Sequence, residues 1–146
     1  MIHVIMGLKG SGKTKKLLEA VNAAVAETKG DVVCIEYGKH LIHDVTYKVR
    51  LVDSKEYAIS TPAMLKGFLA GLHAGNFDIT HVFIDNLYKT IGADKAAAEE
   101  FVAWCAKFAA DNNMEITMGT RTVAVEVLQV AEVVRKDDAS AMYKEV

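Results

Sequence analysis

The sequence predicts an α/β protein with a mainly parallel central sheet covered by helices on both faces, a three-layer α/β/α arrangement. Three observations carry this expectation. Short apolar runs rich in β-branched residues recur at 2–6, 31–37, 80–87 and 114–120, as expected of strands buried on both faces. Between them lie stretches whose apolar residues recur at helical spacing, and such alternation marks a parallel sheet built from crossover units. The first apolar run also ends in a glycine-bearing loop, "GLKGSGKT", that opens directly into a helical pattern.

Taken in order, "IHVIM" (2–6) is the first strand. Leu17, Leu18, Val21, Ala24 and Val25 then share a helix face, and Gly30 supplies a stop after "ETK". "DVVCIEY" (31–37) closes a β-loop-α-β unit, which implies a parallel pair with a right-handed crossover. Residues 38–60 are less regular. "TYKVRLVDSKEYAIS" alternates in part and breaks at Asp53-Ser54, consistent with a short hairpin or a strand with a loop. Thr61 as N-cap, Pro62 at the first helical position and Leu65, Phe68, Leu69 and Leu72 on one face predict a helix that stops at Gly75. "THVFIDNL" (80–87) is a third buried strand ending near an aspartate. Over 94–111, Ala97, Phe101, Trp104, Cys105 and Phe108 form one stripe of a long helix. "MEITMGT" (114–120) is a fourth strand. In "VAVEVLQVAEVV" the β-branched residues favour a strand, but 127, 128 and 131 fall at helical spacing, so a short helix is expected. A C-terminal β-hairpin turning at "DDAS" follows.

With 146 residues and no repeats or linkers, the chain reads as one domain, 1–146, able to bury roughly two-thirds of its unfolded surface. Half of it is apolar, a quarter is charged, and there is one proline, which excludes a disordered or fibrous chain. Seventeen basic against 19 acidic residues leave a net charge of −2, so no global field draws the chain to nucleic acid or an anionic membrane. The start, "MIHVIM", runs into glycines and lysines without a basic leader or a stretch long enough to span a bilayer, and a cytoplasmic protein is expected. Cys34 and Cys105 lie far apart inside apolar segments and read as buried free thiols. His40 and His43 form an H-x-x-H pair without a third ligand, and read as loop histidines.

Gly7, Gly12, Lys13 and Thr14 satisfy G-x-x-x-x-G-K-[ST], a phosphate-binding loop at a strand-to-helix junction. Glycines let the backbone wrap a phosphate and turn several N–H groups toward it, and the helix adds its positive N-terminal end. Lys13 is expected on the β- and γ-phosphates, with Thr14 on Mg²⁺. Lys9, Gly10, Ser11 and Lys15 complete the candidate binding set. A second carboxylate is needed at the end of another strand, and Asp85, closing "HVFID", fits as the metal-side aspartate. The base-reading N-K-x-D motif of GTPases is absent, so the expected ligands are ATP or another NTP, with Mg²⁺.

With these two motifs the chain resembles P-loop NTPases through residues 1–120, and the helix and strand after Asp85 resemble the RecA-like branch. That resemblance implies a γ-phosphate-sensing polar residue on the next strand, for which Thr117, Thr120 and Arg121 are candidates. It also implies possible completion of the site by a neighbouring subunit, hence a homo-oligomer or larger assembly. "SGKTKKLLEA" with "MGTRT" is similar in part to thymidine kinases, and the chain also resembles small bacterial P-loop proteins labelled as twitching-motility ATPases. In those kinases and in RecA-like ATPases an acidic residue follows the aspartate. Asn86 stands there in this chain, and an amide cannot accept a proton from water. The expectation is an ATP-binding protein with weak or partner-stimulated Mg²⁺-dependent hydrolysis, in which Lys13, Asp85, Asn86 and Arg121 are the catalytic candidates. Alternatives are a thymidine-kinase-like phosphotransferase with 38–60 as acceptor lid, and a non-catalytic module stabilised by nucleotide. Glu36, expected on a strand beside the phosphate-loop strand, is a candidate for the missing carboxylate; Asp44 and Asp53 are weaker ones.

Overall fold

The structure is a computed structural model that describes residues 1–7, 12–92, 94–120, 131–135 and 142–145. Its elements are β1 (Ile2–Met6), α1 (Lys13–Glu27), β2 (Asp31–Glu36), β3 (Val49–Asp53), α2 (Pro62–Gly75), β4 (Ile79–Ile84), α3 (Leu87–Ile91), α4 (Lys95–Asp111), β5 (Glu115–Thr120), β6 (Ala131–Arg135) and β7 (Met142–Glu145). The strands make one sheet in the order β3-β2-β4-β5-β1-β6-β7. Every neighbouring pair is parallel except β6–β7, which is antiparallel. No helix among the described residues is long and apolar enough to cross a membrane.

Alternating strand side chains build a core on each face of the sheet. Ile5, Val32, Cys34 and Phe83 pack against Leu17, Val21 and Ala24 of α1. Val4, Met6, Val33, Ile35, Ile84, Ile116 and Met118 pack against Leu65 and Leu69 of α2, Leu87 and Ile91 of α3, and Phe101, Val102 and Cys105 of α4. Sheet strands buried on both sides explain why their sequences are apolar throughout rather than alternating. The aromatic stripe of α4 is core: Phe101 is fully buried and Trp104 and Phe108 pack at its margin. Both cysteines are buried and free.

Local chemistry sets the helix ends. Thr61 Oγ1 accepts from Met64 N–H at 3.1 Å ahead of Pro62, and Asp94 Oδ1 accepts from Ala97 N–H at 2.8 Å. Gly30 is required by space, because a Cβ there would stand 2.3 Å from Thr80 Cγ2 and 2.5 Å from the Asp78 carbonyl oxygen.

One expectation needs correction, and two are made definite. β1 and β2 are not a pair, since β4 and β5 stand between them. A β-loop-α-β pattern fixes hand and sense but not adjacency, and two later strands, each apolar on both faces, fill the gap. Of the two arrangements expected for 38–60, the strand with a loop is present and the hairpin is not: β3 runs parallel to β2, in register from Val32↔Val49 to Glu36↔Asp53. A tight turn cannot join parallel strands, and the irregular segment 37–48 serves as the crossover. β6 covers the start of "EVVRK", the first strand of the expected C-terminal hairpin, while the short helix expected before it lies outside the described residues. The expected C-terminal hairpin is present as β6–β7.

Candidate functional site

The C-terminal ends of β1, β5 and β4 meet at one edge of the sheet. Gly7 follows β1, and its N–H donates to the Thr120 carbonyl at 3.2 Å, which ties the loop start to the end of β5. Gly12 is the N-cap of α1 with φ 88°, ψ 19°. No atom of the described residues lies within 4 Å of where its Cβ would be, so the left-handed backbone conformation calls for glycine here. Lys13 Nζ donates back to the Gly7 carbonyl at 2.5 Å, holding the ammonium between the two ends of the glycine motif. Lys15 is exposed on α1, and Lys16 pairs with Glu19 at 3.8 Å. Lys9, Gly10, Ser11 and Arg121 lie outside the described residues.

Asp85 follows β4, which is separated from β1 by β5, yet its carboxylate meets the start of α1. Thr14 Oγ1 donates to Asp85 Oδ1 at 3.2 Å. The contact crosses β5 at Gly119, where a Cβ would lie 3.9 Å from that same oxygen. Burial raises the pKa of Asp85, opposed by the Thr14 hydrogen bond and by the charges of Lys13 and His40. The structure therefore brings Gly7, Gly12, Lys13, Thr14 and Asp85 together around one point.

Thr120 is buried at the end of β5, opposite Met6, and its Oγ1 has no partner among the described residues. Thr117 pairs with His3 three residues back along the strand, away from this edge. Asn86 has φ 56°, and its Oδ1 is the N-cap acceptor for Lys89 N–H at 3.4 Å. This amide shapes the turn from β4 into α3, a helix that sequence reasoning missed because five residues show no periodicity.

Glu36 was expected on a strand beside the phosphate-loop strand, as a candidate for the missing carboxylate; its strand lies elsewhere in the sheet and its carboxylate is bound to backbone amides. β2 borders β3 and β4, not β1, and Glu36 is 1% exposed. Its Oε1 accepts from the N–H groups of His40 at 2.9 Å and Leu41 at 3.1 Å, latching the 37–48 crossover. Burial raises its pKa, as does the charge of Asp85, while the two amides and His40 lower it. Asp53 has a similar duty, accepting from Gly38 N–H at 2.8 Å and Lys55 N–H at 3.0 Å. Asp44 lies in a turn whose N–H donates to the Leu41 carbonyl at 2.9 Å. The described residues hold no group of three or more His, Cys, Asp or Glu side chains suited to a metal ion. Burial, then the charges of Asp85 and Glu36, push the Cys34 thiol up to about 12, so it is unreactive.

A scan against family models finds no match, and no curated protein matches the chain. A separate groove of about 760 Å³ lies between β3 and α2. Asp31, Val49 and Ile79 line it, so it opens toward the starts of the parallel strands, opposite the edge just described.

Proposed function

We propose that the chain binds a nucleoside triphosphate, ATP in the first instance, with Mg²⁺, and hydrolyses it slowly unless a partner completes the site. The observation that carries this reading is the Thr14–Asp85 contact across an intervening strand, beside a lysine folded into a glycine loop at the carboxyl edge of a parallel sheet. A strand between the one that leads into the phosphate loop and the one that ends in the aspartate also supports the RecA-like order. Lys13 would exchange the Gly7 carbonyl for phosphate oxygens, and the helix start would present N–H groups to the same anion.

The residues fit Mg²⁺. It usually takes one or two protein oxygens and completes its shell with water and ligand phosphates. Thr14 and Asp85 offer a hydroxyl and a partly desolvated carboxylate at one point, and no larger acidic cage competes among the described residues. When bound, the ion would neutralise phosphate charge. Thr120 Oγ1, buried and without a partner among the described residues, would gain an oxygen to bond near the loop. Asn86, an amide already engaged with α3, supplies no proton acceptor, which is why turnover is slow.

Melting with and without Mg·ATP tests the reading. Ligand at 100 times its Kd stabilises by about 2.7 kcal/mol, or about 5–11 °C at about 2–4 °C per kcal/mol for a chain of this size. Lys13→Ala is expected to remain folded and lose the shift. No shift in the wild type refutes the proposal.

A further inference from the structure

We propose that the chain carries a second anion site, for a phosphate monoester, on the Tyr37 ring between Lys55 and Lys89, at the sheet edge that holds Asp85. Lys55 Nζ and Lys89 Nζ each stand 5.3 Å from the centre of that one ring. The two lysines come from different parts of the chain, the turn after β3 and helix α3, and Tyr37 directly follows β2. Neither ammonium has a carboxylate partner among the described residues, whereas their neighbour Lys39 pairs with Glu56 at 3.9 Å.

The local acids are already committed to the backbone. Asp53 accepts from two N–H groups, one of them that of Lys55 itself, and Glu36 accepts from His40 and Leu41. The Ser54 N–H donates to the Glu36 carbonyl at 2.8 Å, so the turn carrying Lys55 is stitched to the end of β2. Asn86, in its left-handed conformation, turns the chain so that α3 brings Lys89 over the same ring. Two like charges are thus held by stitched backbone at one aromatic ring in a chain of net charge −2. Exposed cation–π contacts are weak, about 0.5–1 kcal/mol each, so a dianion can draw both ammoniums from the ring. Two ammoniums match the charge of a monoester near neutral pH, and the tyrosine hydroxyl adds a donor. The inference deepens the proposed reading by giving the nucleotide site a phosphorylated second ligand, on the side of Asp85 remote from Lys13.

Residue-resolved amide NMR on the full-length protein tests it. The probes are inorganic phosphate, a nucleoside 5′-monophosphate and a sugar 6-phosphate, each titrated separately. Saturable shifts at Tyr37, Lys55 and Lys89 are expected, at least tenfold weaker in K55M/K89M and retained in K55R/K89R, with the unliganded spectra reporting folding. Tighter binding of either ester than of phosphate identifies an organic ligand; equal binding identifies free phosphate, and both support the site. Shifts confined to Gly12–Thr14, shifts that survive K55M/K89M, or none at Tyr37, Lys55 and Lys89 overturn it. Because the two regions report separately, silence at Gly12–Thr14 under Mg·ATP counts against the nucleotide reading alone.

Discussion

Asp85→Asn is expected to stabilise the ligand-free protein and to weaken its response to Mg·ATP, two effects of opposite sign from one atom. In the free chain the carboxylate is partly desolvated, and burial raises its pKa despite Thr14, Lys13 and His40. A carboxyl group whose folded pKa is raised contributes stability below its unfolded value, near 3.9, and loses that contribution as pH rises through the folded value. At pH 7 with chelator present, the amide removes this cost while still accepting from Thr14, so the variant melts higher. The gap closes as pH falls through the folded pKa of Asp85, because the wild-type group then becomes neutral too. With ligand, the sign reverses. A hydrogen bond or contact to a charged group is worth about 1.5–3 kcal/mol, so losing the carboxylate weakens binding by about 10- to 100-fold. At a concentration giving the wild type about 2.7 kcal/mol, the variant retains about 0.4–1.4 kcal/mol, or about 1–6 °C. Differential scanning fluorimetry between pH 4 and 8, with chelator or with Mg·ATP, reads both effects. A lower melting temperature for the chelated variant at pH 7 would refute the desolvation argument, and an undiminished ligand shift would remove Asp85 from the site.

Two further substitutions separate backbone from side-chain effects. Gly12→Ala meets no steric obstacle, so only the left-handed φ of 88° opposes it. That conformation costs about 1–2 kcal/mol for an L-residue, offset by about 0.4–1 kcal/mol from a stiffer unfolded chain; a net loss near 1 kcal/mol in urea unfolding is expected, and no loss would mean that Gly12 is not left-handed in solution. Glu36→Ala strips two amides of their acceptor, one of them buried, and should cost about 2–4 kcal/mol, whereas Glu36→Gln keeps an oxygen at the same place and costs less than about 1 kcal/mol. Equal losses for the two variants would show that the latch is not held by hydrogen bonds.

The parts of the fold that were legible from sequence are those where one local signal suffices. Apolar runs marked β1, β2, β4 and β5, and Thr61-Pro62 marked the start of α2, because pattern and capping act within a few residues. Strand order was not legible, since β1 and β2 are related by pairings with β4 and β5, formed some 45 or more residues later. Glu36 was misread for the same reason. Its burial depends on a crossover folding back over it, and nothing in "IEYGKH" says that the His40 and Leu41 amides will close on the carboxylate. The glycine loop was legible because its chemistry is local, and Asp85 was expected beside Thr14 although it lies 71 residues away; the strand across which they meet, β5, was not placed by any local signal.

Asn86 shows how turn geometry constrains what this edge can catalyse. β4 ends at Ile84 and α3 begins at Leu87, so the chain must reverse within two residues, and it does so with residue 86 at φ 56°. Asparagine tolerates that region better than longer side chains, and its short amide reaches the Lys89 N–H to start the helix. A glutamate would put its carboxylate one carbon further from the backbone and would fit the left-handed conformation poorly. On the proposed reading, α3 therefore sets residue 86, and the site keeps its anion and cation contacts without a proton acceptor beside Asp85. On that reading binding and hydrolysis would be separable for a structural reason, and a partner that supplied a base would not need to disturb the turn.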